Sequence, residues 1–281
     1  MTLRLLTIAG SDSGGGAGIQ ADLKTFAAHG AYGMSVVTAV TAQNTRQVSA
    51  IAEVPVDVVV AQIDAVFEDV GVDAVKIGML ASEELVQAVA QSLRRHRPRH
   101  IVLDPVMVAK SGDSLLAADA VRALVQDLLP LASILTPNLP EARTLTGLGL
   151  PTSSSGEGEQ GHILEERRSA ARLVAAMAAQ DPPAVLLKGG HAPGATVLDL
   201  LFDDGDFHHF EHPRLDTPHT HGTGCTLSSA IAARLARGEA MPAAVQGAIR
   251  YLHGAIAAAP GLGGGHGPVD HLYRLFPAKS S

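Results

Sequence analysis

Residues 220–226, Thr-His-Gly-Thr-Gly-Cys-Thr, open a stretch whose apolar pattern predicts a helix over 223–237. Backbone N–H groups at the start of a helix, left accessible by two glycines, form a binding site for an anion. Such a site suits the negative charge that develops on a phosphoryl group during its transfer. Cys225 falls in the first turn, where the helix dipole is expected to lower the pKa of its thiol and make it a candidate base. The alternative for Cys225 alone is an inert core cysteine.

Two other predicted strands end in charged residues. Asp104 follows the strand predicted at 100–103, where a carboxylate is well placed to bind Mg²⁺. Lys188, followed by two glycines, comes after the strand predicted at 184–187, from which it would reach a nucleotide phosphate. Each has a simpler alternative, because Asp-Pro also ends strands and a lysine in a turn is usually a surface residue.

Asn138 and Glu141 follow the strand predicted at 133–135. If a helix begins near Asn138, the two side chains stand three residues apart and face the same way. The same spacing is close to that of a capping box, in which both side chains only close the helix start. Taken alone, the spacing favours the cap.

The glycine-rich segment 10–18 follows the first predicted strand and precedes a helix. Its glycines would let the backbone turn sharply or approach a ligand. The segment lacks the G-x-x-x-x-G-K-[ST] pattern, and Ile19 stands where G-x-G-x-x-G requires its last glycine, which disfavours a dehydrogenase. Asp22, one turn into the helix, would be a solvated residue in most proteins.

The elements that position these residues alternate between short apolar strands and amphipathic helices. This alternation predicts an α/β fold, with a central, mostly parallel sheet and helices on both faces. Ligands of such sheets bind at the carboxyl ends of the strands, where the candidate residues lie. The predicted strands are 3–9, 74–77, 100–103, 133–135 and 184–187, and the predicted helices are 19–29, 57–69, 82–95, 118–128, 165–179, 223–237 and 242–259.

The remaining segments suggest additions to this sheet. Residues 32–44 and 47–54 would extend the sheet or form a small flap, and 195–202 with 207–212 predict an antiparallel hairpin. The polar stretch Pro151 to Gly161 is expected to be a surface loop, and Ala278 to Ser281 a frayed tail. We expect one domain over residues 1–281.

Composition limits the class of protein. The chain has 281 residues, of which 46% are hydrophobic and 17% charged, with a net charge of −7. The negative balance argues against a nucleic-acid partner. A single cysteine favours a reducing cytoplasm, and no apolar run reaches the ~18 residues that a membrane helix needs.

In combination, the segments resemble the ribokinase superfamily, and within it the hydroxymethylpyrimidine/phosphomethylpyrimidine kinases of thiamine biosynthesis. The resemblance covers nearly the whole chain. It rests on AGSD (9–12), GGAGIQADLKT (15–25), AQNT (42–45), KIGML (76–80), LDPVMVAKSG (103–112), LTPNLPEA (135–142), KGGH (188–191), THGTGCT (220–226) and GHGPV (265–269).

The resemblance implies two successive phosphorylations that use ATP and Mg²⁺, first of 4-amino-5-hydroxymethyl-2-methylpyrimidine and then of its monophosphate, by a homodimer. Cys225 takes the position of the catalytic base, where sugar-kinase relatives carry an aspartate. The other implied roles are an anion hole from Gly222, Thr223 and Gly224; hydrogen bonds to the pyrimidine from Asp22 and Gln43; a pocket lined by Gly10, Met79 and Val106; Mg²⁺ organised by Asp104 and Glu141 with support from Asn138; and ATP phosphates contacted by Lys188.

Two departures and two alternatives accompany this resemblance. His219 stands where the family commonly has asparagine, and the stretch 151–161 is longer and more polar than usual. Some relatives with the same cysteine-containing segment phosphorylate pyridoxal or pyridoxine, so that substrate is the nearest alternative. A non-catalytic ligand-binding protein on the same fold is disfavoured, because the base, the anion hole and the carboxylates are all present.

Overall fold

The computed structural model describes residues 2–107, 118–147, 159–178 and 182–276. Nine strands form one sheet in these residues. The strands are β1 (Arg4–Asp12), β2 (Tyr32–Gln43), β3 (Val48–Glu53), β4 (Ala74–Ile77), β5 (Ile101–Leu103), β6 (Ile134–Leu135), β7 (Ala184–Leu187), β8 (Thr196–Asp203) and β9 (Asp206–Pro213).

The centre of the sheet is parallel and both edges are antiparallel. Strands β2, β1, β4, β5, β6 and β7 lie side by side in that order and run in the same direction. At one edge β3 pairs antiparallel with β2, and at the other β8 and β9 form a hairpin that continues antiparallel from β7. The α/β prediction is confirmed, and 32–54 extends the sheet.

Alternate residues of the central strands contribute to two separate cores, because successive side chains of a strand point to opposite faces. Leu6 and Ile8 of β1 lie in the core that includes Val59 and Leu85. Leu5, the residue before Leu6, lies in the second core. Hydrophobic burial on both faces is the reason that these strands are mostly apolar and lack a regular alternation with polar residues.

Eight α-helices cover the two faces in the described residues. Phe26, Ile231 and Ala248 pack from three of them on one face, while Ile63, Val89 and Val174 pack from others on the opposite face. The helices are α1 (Gly18–Ala28), α2 (Val56–Asp69), α3 (Glu83–His96), α4 (Ala118–Ala123), α5 (Leu139–Thr146), α6 (Glu159–Ala176), α7 (Thr223–Ala236) and α8 (Met241–Ala257).

Several predicted boundaries are wrong. Strand β1 continues to Asp12, three residues past the predicted end, because its last residues still pair with β2. The predicted helix 118–128 is an α-helix only to Ala123, because a π-turn follows at Leu124–Leu128; a 3₁₀ turn at Leu129–Leu131 comes after it. Helix α6 begins at Glu159, so residues 159–161 are helical; 151–158 and the expected tail 278–281 lie outside the described residues.

The helices were compared with the length and apolar character of membrane-spanning segments. Within the described ranges, none of them combines the length and the apolar character needed to cross a bilayer.

The turn after β7 depends on the absence of a side chain at Gly189. A Cβ there would stand 1.9 Å from the carbonyl oxygen of Leu198 in β8. Overpacking of this kind costs roughly 1–3 kcal/mol. We expect Gly189→Ala to lower the melting temperature by on the order of 5 °C, as measured by circular dichroism. Gly190→Ala is the matched control, because a Cβ at Gly190 meets nothing within 4 Å; equal melting temperatures for the two variants would contradict the expectation.

Candidate active site

A cavity of about 730 Å³ opens at the carboxyl ends of the parallel strands. Every candidate residue except Asp22 contributes to its wall: Gly10, Gln43, Met79, Asp104, Val106, Asn138, Glu141, Lys188, Gly222, Thr223, Gly224 and Cys225. The fold therefore brings together residues that are more than 200 positions apart in the chain, as expected for the ligand site of an open α/β sheet.

The start of α7 forms the floor of this cavity. Gly222 is the N-cap and adopts a left-handed conformation with φ of 77°, which favours glycine. A Cβ on Gly222 would stand 1.8 Å from the carbonyl oxygen of Gly16, so the helix start and the glycine-rich loop touch through their backbones. The first amides of an α-helix have no partner within the helix. The amides of residues 223–225 are therefore available to an anion in the cavity.

Asp104 and Lys188 face this helix start. A Cβ on Gly224 would stand 3.4 Å from Asp104 Oδ2 and 3.4 Å from Lys188 Nζ. Lys188 donates to Asp104 Oδ1 at 3.0 Å, and Thr136 donates to the same oxygen at 3.2 Å. Burial by itself would raise the pKa of Asp104, but the nearby lysines outweigh it and lower the pKa. A carboxylate and an ammonium group thus lie within reach of the same anion.

Glu141 and Asn138 form the capping box that their spacing favoured. The Asn138 side chain accepts from the Glu141 amide at 2.9 Å, and the Glu141 carboxylate accepts from the Asn138 amide at 2.7 Å. This cap leaves Glu141 beside the cavity, with Oε2 at 3.9 Å from Lys188 Nζ. Burial raises the pKa of Glu141 to about 7; Asp104 raises it as well, while Lys188 opposes the shift.

The two carboxylates fit a magnesium ion. Mg²⁺ in phosphoryl-transfer sites takes one or two carboxylates together with phosphate oxygens and water. Asp104 and Glu141 offer carboxylate oxygens on one wall, and the buried Glu141 carboxylate has its nearest recorded cation at 3.9 Å. A cation between the carboxylates and an incoming phosphate would therefore relieve the unfavourable burial of this negative charge.

The pKa of the Cys225 thiol differs from the value that its place in the helix predicted. Burial raises its pKa to about 11; Asp22 and Asp104 raise it further, and Lys76 together with the Gly18 amide opposes them. The prediction of a lowered pKa is wrong, because burial and the two carboxylates outweigh Lys76 and the Gly18 amide. Most of the thiol is protonated at neutral pH.

Asp22 lies beneath the cavity and does not line it. Its carboxylate is fully buried and accepts from Thr7 Oγ1 at 2.6 Å, Ser229 Oγ at 2.6 Å and Lys76 Nζ at 3.0 Å. Both sequence interpretations of Asp22 need correction, since the residue is neither solvated nor placed to contact a ligand directly. Its carboxylate binds three side chains of the protein.

Lys76 is a site residue that sequence reasoning missed. It is fully buried in β4, forms an ion pair with Asp22 and reaches the cavity wall. Burial would lower its pKa, but Asp22, Cys225 and Asp104 raise it, so the ammonium stays charged. The sequence did contain an indication of this role, because Lys76 interrupts the apolar strand Ala-Val-Lys-Ile. A lysine buried in such a strand requires an acidic partner.

Asp12 and His221 form a second feature that the sequence did not reveal. Asp12 Oδ2 accepts from the amides of Gly16 and Ala17 at 3.0 and 2.8 Å, and His221 Nε2 lies 2.8 Å from the same oxygen. Oδ1 accepts from the Gly14 amide at 2.8 Å. Burial would raise the pKa of Asp12, but His221 and the backbone amides lower it overall. This carboxylate ties the glycine-rich loop to the segment that precedes α7.

The two ends of the cavity differ in character. At one end Gly10, Met79 and Val106 line a narrow slot. A Cβ on Gly10 would stand 3.3 Å from Met79 Sδ, so the glycine keeps this slot open. Gln43 is on this side and accepts from Thr41 Oγ1 at 3.2 Å. The rest of the wall mixes apolar and ionisable side chains: Val197, Pro213, Leu215, Leu252 and Ile256 line it together with Asp199, His212, Arg214 and His253. The slot beside Gly10 is therefore the more apolar end of the cavity.

A family model described as phosphomethylpyrimidine kinase matches residues 12–270 of the chain. The chain belongs to this family. A hydroxymethylpyrimidine/phosphomethylpyrimidine kinase from Rhizobium meliloti is 51% identical over 98% of this chain and 99% of its own length. A thiamine biosynthesis bifunctional protein from Geobacter sulfurreducens is 50% identical over 95% of this chain and 52% of its own length.

Solved structures include members of this family and relatives with another substrate. A phosphomethylpyrimidine kinase from Clostridium difficile superposes with a TM-score of 0.77 at 41% identity, covering 91% of this chain and 100% of that one. An ADP complex of Bacillus subtilis pyridoxal kinase superposes with a TM-score of 0.86 at 34% identity, covering 98% and 100%. Both likenesses agree with the α/β kinase fold predicted from the sequence.

The Asp12 interactions lead to a stability prediction. In Asp12→Asn the amide keeps one acceptor oxygen and turns an NH₂ group toward donors, which should cost about 1–3 kcal/mol of unfolding free energy at neutral pH. The folded pKa of Asp12 is lowered, so its contribution is present above the unfolded pKa and is lost as pH falls through the folded value. The difference in unfolding free energy between the wild type and Asp12→Asn should therefore become smaller at acid pH.

Urea unfolding at neutral pH and again between about pH 2 and 3, below the unfolded pKa of an aspartate, measures this difference. Asp69→Asn is the matched control, because Asp69 is exposed at the end of α2 and its loss should change the free energy by less than about 0.5 kcal/mol. A constant difference at both pH values would show that the Asp12 charge is not the stabilising element.

Proposed function

We propose that this kinase transfers the γ-phosphoryl group of ATP to the hydroxymethyl group of 4-amino-5-hydroxymethyl-2-methylpyrimidine, and then a second one to the product, in thiamine diphosphate biosynthesis. The observation that carries the proposal is the meeting of three groups in one cavity. The amides at the start of α7, the thiol in the same turn and the Asp104–Lys188 pair all face the polar centre. Membership of the phosphomethylpyrimidine kinase family supports the choice of acceptor.

The anion site and Lys188 act on the phosphoryl group. The amides of residues 223–225 point to where charge accumulates on the transferring group, and they need no rearrangement at the moment of reaction. Leu252 and Ile256 line the same cavity as Lys188. We assign the adenine to the part of the wall that they form and the phosphates of ATP to Lys188.

Asp104 and Glu141 would hold Mg²⁺, with Asn138 keeping Glu141 in position through the capping box. When bound, the ion would neutralise charge on the phosphate oxygens of ATP. Thr136 and Lys188 fix the Asp104 carboxylate, so an ion held there would orient the polyphosphate. In-line geometry at the acceptor depends on this orientation.

Cys225 accepts the proton of the substrate hydroxyl. As the oxygen–phosphorus bond forms and the bond to ADP breaks, the hydroxyl proton passes to the Cys225 thiolate. In the second reaction the acceptor is a phosphate oxygen, which carries little or no proton at neutral pH because the second pKa of a phosphate monoester is about 6. The base is therefore needed mainly for the first reaction.

The slot lined by Gly10, Met79 and Val106 receives the pyrimidine ring. A flat, neutral ring requires an apolar pocket with a few polar groups that fix its orientation. Gln43 supplies an amide for the ring nitrogens and the amino group. Asp22, which was expected to share this task, acts from beneath the cavity through Lys76.

Pyridoxal is the alternative acceptor, because pyridoxal kinase structures superpose on almost the whole chain. An assay of ADP release with hydroxymethylpyrimidine, its monophosphate or pyridoxal, each with and without Mg²⁺, tests the choice. We expect turnover with both pyrimidines, strict dependence on Mg²⁺ and a kcat/KM at least tenfold lower with pyridoxal. Turnover with pyridoxal alone would overturn the pyrimidine assignment.

The thiol pKa leads to a prediction of pH dependence. Because the pKa of Cys225 is raised to about 11, the thiolate fraction grows about tenfold per pH unit through the neutral range. We expect kcat/KM for the first phosphorylation to rise with pH between about pH 7 and 9. Cys225→Ala should lower the rate by roughly 10²–10⁴-fold and remove this rise, while pyrimidine binding persists.

The second phosphorylation is the internal control for Cys225→Ala. Its acceptor is already ionised, so the variant should retain a larger share of the rate with the monophosphate. An equal loss in both reactions, or an unchanged pH profile in the variant, would count against Cys225 as the base.

We also propose that the chain is a single domain that functions as a cytoplasmic homodimer. The sheet includes strands from residue 4 to residue 213, which supports one domain. Val40 and Ile51 are 53% and 43% exposed on the β2–β3 edge, which supports pairing there. The single free thiol suits a reducing compartment. Sedimentation equilibrium would give the mass of a dimer, and a monomer mass at assay concentrations would refute this assembly.

A further inference from the structure

Lys76 has donors that its ion pair does not use. An ammonium group carries three N–H donors, and the hydrogen bond recorded for Lys76 is the one to Asp22 Oδ2 at 3.0 Å. The side chain is fully buried, yet it reaches the cavity wall. A Cβ on Gly78 would lie 2.8 Å from Nζ, so the ammonium group lies toward the carboxyl end of β4. Its remaining N–H groups are therefore near the cavity.

The Asp22 carboxylate joins this ammonium group to the helix that carries Cys225. Asp22 Oδ1 accepts from Ser229 Oγ at 2.6 Å, while Oδ2 binds Lys76. Ser229 is four residues after Cys225 in α7, so both side chains lie on the same face of the helix, one turn apart. Asp22 thus fixes β4 to the face of α7 that carries the thiol.

The charges around Cys225 come from four elements. Lys76 of β4 and Lys188, after β7, favour the thiolate, whereas Asp22 of α1 and Asp104, after β5, disfavour it. The Gly18 amide also favours the thiolate, through a hydrogen bond to the sulfur. Among these groups Lys76 has the strongest favourable effect on the thiolate.

We propose that Lys76 is the positioning residue that makes the Cys225 thiol usable as a base, by holding a fixed positive charge beside its thiolate form. This inference rests on the proposed role of Cys225. Lys76 keeps its own proton throughout, because its ion pair with Asp22 favours the charged form. The substrate proton passes to sulfur, which changes from thiolate to thiol, and the positive charge of Lys76 then again balances Asp22. An opposite charge at close range shifts a titration by about 1–3 pH units.

The single cysteine of the chain allows this proposal to be tested without turnover. Cys225 is partly exposed on the cavity wall, so a small reagent can reach it. The probe is iodoacetamide, whose rate of alkylation follows the thiolate fraction, measured by mass spectrometry between pH 7 and pH 10 without ATP or pyrimidine.

Two substitutions should act in opposite directions. Lys76→Met should slow alkylation at least tenfold at each pH, because the thiolate loses its cation. Asp22→Asn should accelerate alkylation, because a carboxylate that opposes the thiolate is removed. Lys76→Arg should retain at least half of the wild-type rate, and Arg95→Met, on the exposed surface of α3, should leave the rate unchanged. Loosened packing would instead expose the thiol and accelerate alkylation in both Lys76→Met and Asp22→Asn.

Lys76→Met leaves the buried Asp22 carboxylate without its cation, which could prevent folding. The double variant Asp22→Asn/Lys76→Met removes both charges and is used if the single variant does not fold. It should be alkylated at least tenfold more slowly than Asp22→Asn. An alkylation rate that does not fall when Lys76 is replaced would overturn the proposal, whatever the kinase rates are. Slower alkylation with an unchanged kcat/KM would support the effect of Lys76 on the thiolate and refute the role of Cys225 as the base.

Discussion

The contact between the start of α7 and the glycine-rich loop is the constraint on which the site depends. A side chain at Gly222 would overlap the Gly16 carbonyl, and Asp12 with His221 ties the two segments together. Because the backbones touch, the amides of the first turn open into the cavity at the carboxyl ends of the strands. The sheet supplies the opposite wall, so the position of this one helix determines where an anion can bind.

The charges of the cavity are paired across elements that are distant in the chain. Lys188 pairs with Asp104, and Lys76 pairs with Asp22. Each pair joins residues from different strands or helices, so neither forms before the sheet has assembled. Buried pairs of this kind contribute less to stability than apolar packing would, and their retention here is consistent with a task in binding or catalysis.

The thiol shows how burial and charge compete at this site. The first turn of a helix favours a thiolate, but the desolvation of the sulfur and two neighbouring carboxylates have the larger effect. A thiol with a pKa of about 11 is present as thiolate in a small fraction of molecules at neutral pH. Phosphoryl transfer tolerates this, because positioning and charge stabilisation account for most of its catalysis.

The sequence by itself determined the order of strands and helices, the parallel centre of the sheet and the strand ends at which Asp104, Glu141 and Lys188 lie, because these follow from local periodicity and turn residues. It also predicted an anion site at the start of α7, because that prediction requires only a helix start with glycines. Tertiary structure decided the protonation of Cys225 and the burial of Asp22, since both depend on charges contributed by other elements. The same is true of Lys76, whose acidic partner lies 54 residues away.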